Sequence, residues 1–263
     1  MKIGFFQFAP EFGNVDANRR RIIDAVRQSD ADLLVVPELA TSGYYYPDTE
    51  TAVRLSEPVP GPTTNAIAEA VADSGMSVVT GIPERDGDAL YNSAVLVDGT
   101  GVRGVYRKAH LFFEETLHFS PGTGGFPLFD IAGTKVGLLV CFDHMYPEAA
   151  RTLALAGAQI ICHPSNLVLP EYGQLTTRVR ALENRVFWVL SNRWGTEWVG
   201  DNSLTFTGVS QVVDPTGKVL IRAEAESDEI AAVEVDPEKA HQKEITRYNS
   251  LFEDRRPELY SLG

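Results

Sequence analysis

Cysteine and lysine are scarce in this chain, and long apolar runs are missing. The 263 residues hold two cysteines, Cys141 and Cys162. A secreted scaffold stapled by disulfides carries more, so a reducing, cytoplasmic setting fits better. No apolar stretch approaches the roughly 20 residues of a membrane span. The N-terminal MKIGFFQFAP lacks the apolar core and cleavage site of a signal peptide. Basic charge is also short: 23 Lys and Arg against 36 Asp and Glu give a net charge of −13. Nucleic-acid binding wants a basic face, so this balance argues against it. The acidity fits solubility or a salt-tolerant host. Lysine occurs only at positions 2, 108, 135, 218, 239 and 243. No HExxH and no Cys/His pair at metal spacing occurs. His110, His118, His144 and His163 therefore read as hydrogen-bonded structural groups, and no metal is expected. The glycine-rich SPGTGG at 120–125 lacks the Lys-Ser/Thr of a phosphate loop and reads as a turn.

What is present suits one large α/β domain. Hydrophobic residues make up 44% of the chain, no Pro-, Gly- or Ser-rich linker divides it, and no internal repeat appears. KIGFFQF reads as a strand. NVDANRRRIIDAVRQSDA has helical spacing, with Asn14 or Asp16 as its cap. DLLVVPEL and MSVVTGIPE are strands, and GPTTNAIAEAVADSG between them is a helix. Three hairpins follow from alternation and turn residues: LYNSAVLVDGTGVRGVYRK, FPLFDIAGTKVGLLVCFD, and TFTGVSQVVDPTGKVLIRA. YPEAARTLALAGAQ is a helix opened by Pro147, which Asp143 and Glu148 are placed to cap. AQIICHPSN and FWVLSNRWG are strands around the helix YGQLTTRVRALENR, and DEIAAVEVD is the last strand. Hairpins mixed with strand–helix alternation predict a mixed-sheet sandwich covered by helices rather than a doubly wound sheet. The tail from Pro237 is polar.

Three places share one design, in which an apolar strand ends in a reactive side chain. They are Glu38 in LLVVPELATSGY, Lys108 in GVYRKAHLF and Cys141 in GLLVCFDHMYPE. Each alone has a structural reading: helix-start acid, surface charge at a hairpin foot, and inert core thiol. Cys162 keeps that last reading. Together the three residue types form a set for attack on a carbon bound to nitrogen. A thiol is mostly protonated at neutral pH and needs a base. A carboxylate takes its proton, and an ammonium stabilises the thiolate and then an oxyanion. The N–H of Phe142 is placed as a second oxyanion donor. Tyr44, Asn166 and Trp194 each follow a strand end; they line an acyl pocket or pack loops.

These motifs as a set resemble the nitrilase superfamily of carbon–nitrogen hydrolases, over nearly the whole chain. PELATSGY resembles the motif of the catalytic glutamate, YRKAHLF that of the lysine and CFDHMYPE that of the nucleophile. The resemblance implies that Glu38 is the general base, Lys108 the oxyanion-stabilising cation and Cys141 the nucleophile. It implies a second glutamate shortly after the lysine. Glu114 and Glu115 are the candidates, and Glu115 is favoured by its spacing of seven from Lys108. It further implies a four-layer αββα sandwich, no metal or organic cofactor, and a homodimer or higher homo-oligomer. The tail 237–263 would then pack on a partner subunit, anchored by Phe252 and Tyr260. The expected reaction is hydrolysis of a small amide to acid and ammonia through a thioester. N-carbamoyl hydrolysis and nitrile hydrolysis are the alternatives, and a binding or scaffold protein on the same fold is the non-enzymatic one. Phe142-Asp143 stands where true nitrilases commonly have Trp-Glu, which favours the amidase and carbamoylase branches.

Overall fold

The opening strand shows how the layers are built. In β1 (Lys2–Gln7), Ile3 and Phe5 face one core and Phe6 faces another, because successive strand side chains alternate between faces. β2 (Leu33–Val35) repeats the split: Leu33 and Val35 enter the first core, Leu34 the second. Buried on both sides, such strands read as unbroken apolar runs in the sequence.

The computed structural model describes residues 1–260, so the end of the expected tail, 261–263, lies outside the described residues. After β1 come α1 (Val15–Gln28), β2, α2 (Thr49–Leu55), α3 (Pro62–Val71), β3 (Ser77–Asp86), β4 (Ala89–Asp98) and β5 (Gly101–Arg107). The second half runs α4 (Glu115–His118), β6 (Leu128–Ile131), β7 (Thr134–Leu138), α5 (Pro147–Leu155), β8 (Ile160–Pro164), α6 (Tyr172–Asn184) and β9 (Phe187–Ser191). β10 (Trp194–Val199), β11 (Asn202–Thr207), β12 (Gln211–Val213), β13 (Val219–Arg222) and β14 (Glu229–Glu234) follow.

One sheet has the order β14-β1-β2-β3-β4-β5 and the other β13-β12-β9-β8-β7-β6. In each, three central strands are parallel, β1-β2-β3 and β7-β8-β9, and the flanking pairs are antiparallel. The two sheets thus repeat one topology that no sequence repeat announces. They pack face to face, β1 on β9 and β2 on β8. Ile22 and Val26 of α1 and Ile67 of α3 cover the outside of the first sheet. Ala149, Leu153 and Ala181 of α5 and α6 cover the second. This is the four-layer αββα sandwich of mixed sheets.

The three expected hairpins form, as β4–β5, β6–β7 and β12–β13. Two more appear. β3 continues through charged residues to Asp86 and turns into β4 at Gly87, and β10 turns into β11 at Gly200. Both glycines have positive φ, +59° and +58°, which glycine adopts without steric cost. Asn14, not Asp16, caps α1, accepting the Ala17 N–H at 3.3 Å. Phe252, expected as an anchor of the tail, packs on its own chain, with the Arg151 guanidinium 5.3 Å and Lys243 Nζ 4.6 Å from its ring centre. The Tyr260 hydroxyl accepts the Arg256 N–H at 2.9 Å.

One glycine ties the sheet to the segment beyond β2. A Cβ on Gly81 of β3 would lie 2.4 Å from the Glu38 Cα and 2.6 Å from the Pro37 carbonyl oxygen. Both neighbours are backbone and cannot give way as a side chain tip would. Gly81→Ala is expected to cost about 1–3 kcal/mol of stability through overpacking, read by thermal unfolding. An unchanged melting temperature would contradict the close approach.

Candidate active site

Each site residue sits where a strand stops. Glu38 lies three residues past β2, Lys108 directly after β5, Cys141 three residues past β7 and Asn166 two past β8. Crevices at strand ends are where α/β sheets gather ligand groups. Glu115 opens α4. Glu38, Lys108, Glu115 and Cys141 are all buried.

Lys108 Nζ donates to Glu38 Oε1 and to Glu115 Oε1, both at 2.7 Å. Asn92 Nδ2 donates to Glu38 Oε1 at 2.6 Å and reaches Glu115 Oε2 at 3.4 Å. The Tyr44 hydroxyl donates to Glu115 Oε1 at 2.6 Å. Glu38 Oε2 is buried and has no hydrogen-bond partner among the described residues. One cation thus faces two anions out of water. Burial, reinforced by the Glu115 charge and opposed by Lys108, pushes the Glu38 carboxyl up to about 7. Burial alone would lower the Lys108 pKa, but the Glu115 and Glu38 carboxylates hold it above the usual range. At Cys141, burial and the Glu38 charge push the thiol up, against Lys108 and the Asn166 N–H, so the resting sulfur carries its proton.

The turn that carries the thiol is itself held from below. Cys141 opens a 3-10 turn, Cys141–Met145, with φ +42°, a left-handed conformation that costs a non-glycine residue about 1–3 kcal/mol. Asp143 accepts the Val140 N–H at 2.9 Å, the Tyr106 hydroxyl at 2.8 Å and the His110 N–H at 3.2 Å; His110 Nδ1 lies 2.8 Å from it. The expectation that Asp143 caps α5 is corrected: the carboxylate turns inward and pins the nucleophile turn. His163 Nε2 lies 2.8 Å from the Cys141 carbonyl oxygen. A carbonyl only accepts, so Nε2 carries the proton. Burial lowers the His163 pKa to about 3 and keeps the ring neutral.

A small, narrow cavity opens on Cys141, lined by Phe112, Phe142, His144, Asn166, Leu167, Val168, Leu169 and Tyr172. A roomier surface hollow around Arg185 and Asp214 contains none of the site residues. Of the expected pocket residues, Phe142 and Asn166 line the cavity. Asn166 Nδ2 donates to the Glu38 carbonyl at 2.9 Å, while its Oδ1 is buried without a partner among the described residues. Tyr44 reaches the site as the partner of Glu115 rather than as pocket wall. Trp194 does not reach it, and that expectation is corrected. Trp194 starts β10, and its indole N–H donates to Asp228 on the surface at 2.9 Å.

Asn92, Asp143, Phe112 and the run Leu167–Leu169 were not anticipated. Asn92 left one trace, a polar residue inside the buried strand LYNSAVLVD. Among the described residues, no group of three or more His, Cys, Asp or Glu is placed to hold a metal. No helix among them is long and apolar enough to cross a membrane.

Fold and site together define a hydrolase of carbon–nitrogen bonds. The chain belongs to the carbon-nitrogen hydrolase family, whose model matches residues 2–244. It is similar to a nitrilase of Pyrococcus abyssi, 39% identical over 99% of both chains. It is 37% identical to an (R)-stereoselective amidase of a Pseudomonas species, over 97% of this chain and 92% of that one. Among solved structures, an amidase from Nesterenkonia sp. superposes with a TM-score of 0.81 at 27% identity, over 98% and 94% of the two chains. In one variant of that amidase, acrylamide has added to the active-site cysteine.

Removing Lys108 leaves two buried carboxylates facing each other. Lys108→Met is expected to cost about 3–5 kcal/mol near pH 8. The loss shrinks toward about pH 5, because protonated carboxyls no longer repel. Urea unfolding at both pH values checks this; an equal loss at both would contradict the charge account.

Proposed function

We propose that this enzyme hydrolyses small, uncharged primary amides to the carboxylic acid and ammonia through a thioester on Cys141. The observation that carries the reading is a pair of buried acceptors without donors among the described residues, Glu38 Oε2 and Asn166 Oδ1, on two residues that act on Cys141. A buried acceptor without a donor is costly, and a bound amide brings N–H donors that a nitrile lacks. Glu38 accepts the thiol proton on Oε2 as the sulfur attacks the carbonyl carbon. Lys108 Nζ and the Phe142 N–H stabilise the oxyanion. Glu38 returns that proton to the leaving nitrogen, the C–N bond breaks and ammonia departs. Glu38 then takes a proton from water, hydroxide adds to the thioester, and the C–S bond breaks to free the acid and the thiol.

The cavity wall is mainly apolar, and no Arg or Lys lines it. A substrate carboxylate would lose its hydration there without gaining a partner. This ranks N-carbamoyl amino acids below simple amides, with nitriles third. A cytoplasmic location is supported by the two free cysteines. A homodimer is supported by exposed Leu175, Val179 and Leu182 on one face of α6.

Ammonia release from aliphatic amides, N-carbamoyl amino acids and nitriles tests the reading. Turnover is expected with the amides, and Cys141→Ala is expected to lower it by at least about 10³-fold. Equal activity of the alanine variant would remove Cys141 from the mechanism. The base must be ionised to act, so kcat/KM should rise through the Glu38 pKa of about 7 and fall about tenfold per pH unit below it. A flat pH profile down to about 5 would exclude Glu38 as the titrating base.

A further inference from the structure

The β10–β11 hairpin lies outside the sequence motifs, yet it sends one buried carboxylate toward the site. Glu197 Oε2 accepts the backbone N–H groups of Tyr44 at 2.9 Å and Tyr45 at 2.8 Å, and Oε1 lies 3.3 Å from the Tyr44 nitrogen. Buried Arg193 pairs with the same carboxylate. The Arg193 guanidinium also lies 4.1 Å from the Phe206 ring centre, and Phe206 meets Tyr44 edge to face at 5.8 Å. Gly43 has φ +85°, and a Cβ there would stand 2.6 Å from Glu197 Oε1. A residue without a side chain is what allows the carboxylate to reach the backbone.

The other end of Tyr44 touches the reaction machinery. Its hydroxyl donates to Glu115 Oε1, the oxygen that also receives Lys108 Nζ. An unbroken chain of contacts therefore runs Arg193–Glu197–Tyr44–Glu115–Lys108.

We infer that Glu197 is a positioning residue, which fixes the Tyr44 backbone so that the hydroxyl holds Glu115 against Lys108. The inference rests on the role given to Glu115 and Lys108 above. Glu197 is not part of the wall of the cavity at Cys141 and exchanges no proton. Its carboxylate neutralises Arg193 and accepts two N–H groups of the loop that carries Tyr44. If Tyr44 shifts by an ångström, its 2.6 Å bond opens. Glu115 is then left with Lys108 and the long contact to Asn92, and Lys108 moves with it.

A double-mutant cycle decides the matter. Glu197→Gln keeps the size but gives Arg193 no anion and offers the loop one acceptor oxygen instead of two. It is expected to lower kcat for the best amide by about 10–100-fold, with KM within about threefold. Tyr44→Phe is expected to do the same. In the Tyr44→Phe background, Glu197→Gln should cost almost nothing further. Losses that multiply, or wild-type kcat in Glu197→Gln, would overturn the inference. Should the glutamine variant fail to fold by circular dichroism, Glu197→Asp runs the same cycle, since it keeps the charge while withdrawing from the loop. The cycle is also read from the rate of Cys141 alkylation by iodoacetamide, which requires no turnover. A wild type inactive on every amide sinks the functional reading alone; the alkylation cycle still decides for or against Glu197.

Discussion

Everything at the site depends on one ammonium buried between two carboxylates. Removing three charges from water costs several kcal/mol per ion, and mutual attraction repays this only when the remaining lone pairs and protons find partners. Here they nearly all do. Lys108 Nζ reaches both acids, Asn92 touches both, and Tyr44 adds a third donor to Glu115. The exceptions among the described residues are Glu38 Oε2 and Asn92 Oδ1. The cluster thus fixes Glu38 from one side and leaves its other oxygen open, which is the arrangement a general base requires. The excess of one negative charge, together with burial, brings that base to a proton affinity near neutrality.

The sandwich explains how residues so far apart in sequence meet. β2 and β8 are the middle parallel strands of their sheets and face each other across the core. Glu38 and Asn166 follow them, and the Asn166 amide donates to the Glu38 carbonyl at 2.9 Å. Repetition of one topology in two sheets therefore brings equivalent strand ends together. Gly81 permits the Glu38 segment to cross β3 at backbone contact. Local sequence sets each strand, whereas the site exists only after the sheets have stacked.

That division explains what could be read in advance. Glu38 and Cys141 follow apolar runs and Lys108 ends a hairpin strand, all local features, and the structure buries all three with their charges acting on one another. The first three hairpins carry Asp-Gly, Gly or Pro-Thr-Gly turns and were equally legible. Asn92 was not, because hydrophobic periodicity treats an inward asparagine as a blemish in a strand. Asp143 was misjudged because an acid shortly before Pro147 has the local signature of a helix cap; only tertiary structure brings Tyr106 and His110 to it. Trp194 was misplaced because the direction of the chain beyond β9 depends on the β10–β11 hairpin, whose turn at Gly200 was not seen. The reach of Glu197 to the site left no local sign, since beyond Arg193 its partners are the backbone groups of a loop about 150 residues earlier.

The electrostatics also constrain how such a thiol reacts. In a thiol–imidazole pair the partner becomes a cation and holds the sulfur as thiolate. Around Cys141 the nearby charge is one cation against two anions, and the burial is deep, so the sulfur remains protonated at rest. Thiolate is also the form that oxidants attack. A buried neutral thiol is therefore protected until a substrate fills the cavity. On the reading advanced here, the thiolate forms only as its charge passes to a carbonyl oxygen facing Lys108. The left-handed turn at Cys141 suits this late commitment, because Asp143 and His163 hold the backbone in place before any charge develops. Orientation is supplied by the fold, and charge is supplied only when the substrate arrives.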